Sequence, residues 1–188
     1  MGRAQVVVRN AVEADLAVLA ELWQEVTRTG EGQAQADLSL LLERSRGAAD
    51  DLRLLVAEID AVVVGGVLLT VAPTSPLNPE PLVHAFAPQV ASGARRKGVG
   101  TALMEAAVTF AEEKGIAFVG AAAFSASRDA NRFFARLGLG PRAVLRAAPT
   151  ASVRQRISRV RPARPADRRH VDRVLAARRG RRSARVLS

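Results

Sequence analysis

Cysteine and tyrosine are missing from the 188 residues, and lysine occurs only as Lys97 and Lys114. Without cysteine there is no disulfide scaffold, thiolate zinc site, iron–sulfur cluster or cysteine nucleophile, and the chain suits a reducing compartment. Long uncharged apolar runs are missing too. The longest, 54–72, carries Glu58 and Asp60, so no membrane-spanning helix is expected. Met1-Gly2-Arg3-Ala4-Gln5 lacks the basic-then-apolar pattern of a secretion signal, which sets the expectation of a cytoplasmic protein. What the chain has is apolar side chain: a hydrophobic content of 48% places it among globular proteins. One domain of ~150 residues leaves some chain over, and a chain this long buries roughly two-thirds of its unfolded surface without a staple.

The net charge of +10 is unevenly placed. From Val153 onward there are thirteen arginines, no lysine and two acids, Asp167 and Asp172. The other 152 residues hold 15 basic and 16 acidic side chains, so the body is neutral and the excess sits in a tail. The organisation expected is a domain over 1–150 and an arginine-rich tail over 151–188. Arginine nearly everywhere in place of lysine, with abundant alanine and valine, points to genomic base composition rather than selection for guanidinium chemistry. The tail is therefore expected to be solvated or docked, with a short helix over 167–179. An arm for nucleic acid or anionic membrane is the rival reading, since arginine-rich arms bind phosphate backbones. Against nucleic acid, the tail has no aromatic side chain to stack on bases. Val8-Arg9-x-Ala11-x-x-Ala14-Asp15 recurs as Val160-Arg161-x-Ala163-x-x-Ala166-Asp167. In so Ala- and Arg-rich a chain the echo reads as chance; the alternative is the stub of a second copy.

Hydrophobic periodicity predicts the elements. Residues 5–10 form a β-branched strand, followed by a helix with Leu16, Leu19, Leu22, Trp23 and Val26 on one face, ending at Gly30. Glu13 and Asp15 stand where a first helical turn favours acid. Residues 31–36 read as a polar loop, and Leu38, Leu41 and Leu42 as a short helix stopped near Gly47. Two strands, 53–59 and 62–72, are joined by the tight connection Asp60-Ala61, and Pro73, Pro76, Pro79 and Pro81 mark an irregular crossing. A strand over 82–90 carries Pro88, which argues for an edge or a bulge. The clearest helix runs from Gly98 to Lys114, with Val99, Leu103, Ala106, Ala107 and Phe110 in one register and Gly115 closing it. Residues 116–124 are apolar without alternation, as in a strand buried on two faces. A last helix capped by Ser127 turns Ala130, Phe133, Phe134 and Leu137 inward and stops at Gly138, and 142–146 is a candidate final strand. Strands alternating with helices, plus a hairpin, make a mixed α/β (α+β) sheet.

The segment that carries chemistry is Arg95-Arg96-Lys97-Gly98-Val99-Gly100-Thr101, between a strand and the best helix. The first amides of a helix lack internal acceptors and sit at the positive end of its dipole. Glycines let a phosphate approach those amides, and three adjacent cations suit a pyrophosphate. A glycine pair alone only permits a turn, and the spacing is neither GxGxxG nor GxxxxGK[ST].

With that loop in place the sequence resembles the GNAT N-acetyltransferase superfamily. The family's Gln/Arg-x-x-Gly-x-Gly/Ala signature is matched by Arg95-x-x-Gly98-x-Gly100. Its Asn-x-x-Ala-x-x-Phe-Tyr-x-x-x-Gly-Phe pattern is echoed by Ser127, Ala130, Phe133, Phe134, Gly138 and Leu139. The order β-α-α-β-β-β-α-β-α-β agrees over roughly 5–147. The resemblance implies a mostly antiparallel sheet flanked by helices, with a V-shaped splay between 82–90 and 116–124. It implies acetyl-CoA as co-substrate, no metal, and an acceptor amine on a small molecule or a protein; an oligomer is compatible with it. The amides of Gly98, Val99, Gly100 and Thr101 would hold the pyrophosphate with Arg95 and Arg96, Ser127 would take the asparagine's place beside the cofactor, and the Val90 amide would polarise the thioester carbonyl.

The family's tyrosine, which protonates the departing thiolate, falls on Phe134. A missing general acid commonly costs ~10²–10⁴ in rate, although a thiol of pKa about 8.5 is a tolerable leaving group unaided. The domain is thus either a catalyst that takes its proton elsewhere or a CoA-binding module. A base is also needed, because an alkylamine of pKa about 10.4 is protonated at neutral pH. His84 lies where one branch of the family carries a base-acting glutamate, and imidazole serves directly or through water. Glu80 is a weaker candidate. Phe133 and Trp23 are assigned to the core.

Overall fold

The computed structural model describes residues 5–24, 31–47, 50–122, 128–142 and 146–160. The chain divides into two units, Met1–Gly140 and Pro141–Ser188, ahead of the boundary at 150 drawn from charge.

In the first unit five strands lie in sequence order: β1 (Val6–Asn10), β2 (Leu52–Ile59), β3 (Val62–Ser75), β4 (Asn78–Val90) and β5 (Val119–Ala122). The first four are antiparallel neighbours, while β4 and β5 run parallel. Helix α1 (Leu16–Leu22) and α2 (Glu31–Ser45) follow β1, α3 (Val99–Glu113) joins β4 to β5, and α4 (Arg128–Arg136) follows β5. The alternation of side chains along a strand sorts the core into two layers. Leu55, Ala57, Val67, Leu69, Val83 and Ala85 meet the α3 stripe of Val99, Leu103, Ala107 and Phe110. On the opposite face, Leu54 and Val56 meet Leu16, Leu19, Trp23, Leu38 and Leu42 of the first helical pair. Each fully buried side chain of this size gains about 2 kcal/mol from leaving water.

The β2–β3 turn is the expected one. Asp60 and Ala61 both adopt positive φ, 52° and 59°, the pair of values a two-residue hairpin with the sheet's twist demands. The proline-rich stretch is not an irregular crossing but the end of a second hairpin, with Ser75 facing Asn78 and Pro73 facing Pro81. Among the described residues the β2 side bonds β3 no further than the Val71 amide, which donates to the Asp51 carbonyl, and β5 pairs with β4 only from Val83, so prolines in this tip forfeit few ladder donors. Leu77, at the turn, is 97% exposed.

Further expectations are corrected. The stretch 31–36 is the first part of α2, not a loop: Ala34, Leu38 and Leu42 recur every four residues on its buried face, and Gln33 donates to Asp37. Helix α1 ends at Leu22, and 25–30 lie outside the described residues. Glu13–Asp15 is a 3-10 turn, and Asp15 is only 5% exposed. As expected, Glu13 and Asp15 put acid in the first turn, and the Asp15 carboxylate accepts from the Val12 amide that caps it at 2.8 Å; it also accepts from Arg9 Nη1 at 2.6 Å, while Arg9 Nε donates to Glu58 at 2.8 Å. The Arg9 guanidinium holds the Asp15 carboxyl below the usual carboxylate range. Strand β5 is short and half-buried, and among the described residues it stands at the end of the sheet; 123–127 lie outside the described residues. Leu137 is exposed instead of inward.

At its far end α3 is fixed by Arg53, whose guanidinium lies 4.2 Å from the Phe110 ring centre and pairs with Glu113, and by Lys114 paired with Asp50. Gly115 follows at φ 65°. In the second unit, Arg142 and Arg146 are not in a strand and 143–145 lie outside the described residues. Thr150–Val160 is a helix, α5, exposed along its length, ahead of the stretch 167–179 where a short helix was expected. Val160 ends that helix whereas Val8 sits in a strand, so the echoed segments begin differently; 161–188, with the helix expected over 167–179, lie outside the described residues.

Candidate active site

The site is built on the last third of β4. Between Leu68↔Phe86 and Gly66↔Gln89, β3 has one intervening residue and β4 has two, Ala87 and Pro88. This is the bulge that Pro88 signalled. Ala87 adopts φ 47°, and its carbonyl accepts a hydrogen bond from Trp23 Nε1 at 2.7 Å. After the bulge Val90 pairs with Gly65, and the Ala91 amide donates to Val64 at 2.8 Å. Successive strand amides point to opposite sides. The Val90 N–H therefore points away from β3, toward the β5 side, and Pro88, the preceding residue of the same parity, has no N–H to offer. Gly65 permits this approach: a Cβ there would lie 2.8 Å from Val99 Cγ1 and 3.0 Å from the Gln89 carbonyl.

A short 3-10 turn, Ser92–Ala94, with Ala94 buried, leads into the cationic turn. Arg96 at φ 62° and Gly98 at φ 91° reverse the chain, and Gly98 caps α3. At that φ an L side chain is strained, so glycine is the natural residue. Nothing lies within 4 Å of the place a Gly98 Cβ would take. The first bond of the helix runs from the Ala102 amide to the Gly98 carbonyl at 3.0 Å, which leaves the amides of Gly98, Val99, Gly100 and Thr101 without acceptors inside the helix. Val99 is buried and anchors this end, while Thr101 is exposed. Arg95, Arg96 and Lys97 are exposed and form no ion pair among the described residues. Free amides, the helix dipole and three unneutralised cations thus converge on one loop, a chemistry suited to a diphosphate.

His84 is half-buried on β4, between Thr70 of β3 and Gly120 of β5. A Cβ on Gly120 would lie 3.4 Å from His84 Cδ2, so the glycine leaves space beside the imidazole. Because Val83 and Ala85 face α3, His84 and Phe86 share the other face of the sheet, and Phe86 is exposed there. Val90 follows His84 by six positions, and at roughly 3.3 Å per residue the strand sets them up to about 20 Å apart. The structure does not bring these two together. Phe134 is the more buried of the aromatic pair, 8% exposed in the α3 core, with its ring centre 5.4 Å from that of Phe133. Phe133 is half-buried, with ring atoms 3.4 Å from where a Gly100 Cβ would stand. Ser127 lies outside the described residues.

Sequence reasoning missed a groove of about 590 Å³ lined by Thr101, Met104, Glu105, Val108, Phe118 and Leu139. Its residues come from three segments that no sequence spacing relates, although Met104 and Val108 fall outside the apolar register read for α3. No cluster of three or more metal-ligating side chains occurs among the described residues, and no described helix is long and apolar enough to cross a membrane.

A family model described as the acetyltransferase (GNAT) family matches residues 16–139. Three solved structures show the same fold. A transcriptional regulator from Bacillus halodurans C-125 is similar at TM-score 0.65 and 21% identity, over 77% of this chain and 100% of that one. The aminoglycoside N-acetyltransferase AAC(6')-Iy, solved in complex with CoA, gives 0.64 and 17%, over 78% and 96%. Glucosamine-6-phosphate N-acetyltransferase from Arabidopsis thaliana gives 0.60 and 18%, over 78% and 99%. None of the curated protein sequences matches significantly. The match of the family model to about two-thirds of the residues, over the elements that carry the bulge and the cationic turn, means that this chain belongs to the GNAT acetyltransferase family.

Proposed function

We propose that this GNAT protein is an N-acyltransferase that moves an acetyl group from acetyl-CoA to an amine by direct attack in a ternary complex. The observation that carries the reading is the turn at 95–98, where exposed cations, a left-handed glycine and the open amides of α3 face one place. The CoA complex of the similar AAC(6')-Iy supports the choice of ligand. Acetyl-CoA supplies the acetyl group as a thioester. Arg95 and Arg96 neutralise its phosphates, and the amides of Gly98, Val99, Gly100 and Thr101 donate to them. Ser127 contributes a hydroxyl near the same ligand. The Val90 amide donates to the thioester carbonyl, where negative charge grows as the amine attacks; one such donor gives about 3 kcal/mol. The amine nitrogen bonds to the carbonyl carbon, the C–S bond breaks, and the proton lost by nitrogen ends on the sulfur. Because His84 stands up to about 20 Å along the strand from Val90, it can receive that proton only through a chain of waters, from which the thiolate regains one. Phe134 has no proton to give, and a thiol of pKa about 8.5 leaves without one being donated in the same step. The catalytic unit lies within 1–150 and the arginine-rich tail stays outside it.

Phe134 favours a second reading, a CoA-binding module without turnover. Release of free CoA thiol from acetyl-CoA, followed across a panel of primary amines, separates the two. Amine-dependent thiol release is expected. Saturable CoA binding with no release by any amine would leave the binding module, and no CoA binding by folded protein would remove both readings.

A further inference from the structure

The bulge in β4 is held from outside the sheet. At Ala87 the backbone takes a left-handed conformation, which an L side chain adopts only under strain. Ala87 is buried on the face of the first helical pair, and its carbonyl, taken out of regular register with β3, accepts from the indole of Trp23, which caps α1 just past Leu22. Donor and acceptor are both buried, so no solvent replaces this bond if the indole N–H is removed. The seat of the indole is prepared by a second contact. A Cβ on Gly66 would clash with Leu19 Cδ2 and lie 3.8 Å from Trp23 Cζ2, so the bare backbone of β3 lets α1 settle onto the sheet at the level of the bulge. Three residues beyond Ala87 is Val90, whose amide direction follows from the extra residue that the bulge inserts.

We infer that Trp23 is a positioning residue for acyl transfer: its indole holds the Ala87 carbonyl, fixes the bulge in its strained conformation and so aims the Val90 amide at the thioester carbonyl. This rests on the proposed acetyltransferase function. It adds a role for α1, distinct from packing, and couples the helix to the reacting atoms through one hydrogen bond.

The test uses the full chain with Trp23→Phe, which keeps an aromatic ring and removes the N–H. Trp23 packs in the core layer on the opposite face of the sheet from Val99, so Kd for CoA is expected to stay within about twofold while kcat falls about tenfold, part of what loss of a whole oxyanion donor costs. Adding Ala87→Gly is expected to restore most of kcat, because glycine takes a positive φ without help. A purely structural tryptophan would give no such rescue. Hydrogen exchange at the Ala91 amide, bonded to Val64 just past the bulge, is expected to quicken about tenfold in Trp23→Phe relative to Leu69, and to recover in the double variant. Unchanged kcat, or a loss that Ala87→Gly leaves in place, overturns the proposal. If Trp23→Phe does not fold, benzothienylalanine at position 23, which replaces N–H by sulfur at nearly constant shape, gives the same two outcomes. If the parent protein neither binds CoA nor transfers acetyl, the functional reading fails, and the exchange rate at Ala91 alone decides whether the indole holds the bulge.

Discussion

Two glycines in the loop before α3 differ in one respect that can be measured. Gly93 and Gly98 are both exposed, and a Cβ on either would meet nothing within 4 Å. Gly98 has φ 91°, whereas Gly93 sits in the 3-10 turn without a positive φ. Alanine at either site removes freedom from the unfolded chain, a gain of about 0.4–1 kcal/mol. At Gly98 alone it also forces a left-handed L residue, a cost of roughly 1–2 kcal/mol. Gly93→Ala is therefore expected to melt slightly above the parent and Gly98→Ala below it, the pair differing by about 1–2 kcal/mol. At about 2–4 °C per kcal/mol for a protein of this size, the melting temperatures should stand roughly 2–8 °C apart. Calorimetric titration with acetyl-CoA is the companion measurement, since the strain in Gly98→Ala is relieved by turning the amides away from the ligand. A weakening of tenfold or more is expected there and little change for Gly93→Ala. Equal melting temperatures for the two variants would refute the claim that the cap depends on handedness.

Arg95→Ala combined with Arg96→Ala should weaken acetyl-CoA binding and flatten its dependence on salt, checked by titration between low and high ionic strength; an unchanged salt slope would remove these guanidiniums from the phosphate site. Asp15→Asn should cost about 2 kcal/mol in denaturant unfolding, since Arg9 and the Val12 amide lose a charged acceptor. The carboxyl of Asp15 is held below its ordinary value of 3.8, so the stability it adds is present above that pH and is lost as acid titrates through the lower folded value. An Asp15→Asn protein should accordingly lose less stability than the parent on acidification below about pH 4, and parallel losses would contradict the pairing. His84→Ala should alter the pH dependence of turnover while leaving CoA affinity intact, and an unchanged pH–rate profile would take His84 out of the proton path.

Local signals were legible where the chemistry is local. Helix α3 was marked by an apolar stripe that starts at Val99 and by a glycine at each end, and the β2–β3 hairpin by Asp60-Ala61 between two apolar runs. The cationic turn followed from adjacency, because all its members lie within 95–101. Prolines 73–81 misled, since their usual conflict with a ladder disappears in a ribbon whose outer edges extend past their neighbours. The first turns of α2 were hidden by Gly32 and polar side chains; the helix is secured by burial of Ala34 and by Leu38 and Leu42 packing with Leu54 and Val56 rather than by propensity. Trp23 and Ala87 are 64 residues apart, and Arg9 and Glu58 are 49 apart. No periodicity announces such bonds; they exist only once the sheet has brought the strands together.

The parallel pairing of β4 with β5 has a consequence for how the cleft comes into being. Strands β1 to β4 can assemble by zipping neighbouring segments, apart from the excursion through the first two helices. Strand β5 meets β4 only after the chain has laid α3 across the sheet. Contacts that close a longer excursion are slower to form, and a short terminal ladder opens at lower free energy than the interior of a sheet. The boundary that receives the acyl arm in the proposed reaction is thus the last seam to be sewn and the first to part. A ligand lying along it, with its phosphates on α3, would fasten the crossover to the meander and make the finished fold a property of the complex as much as of the polypeptide.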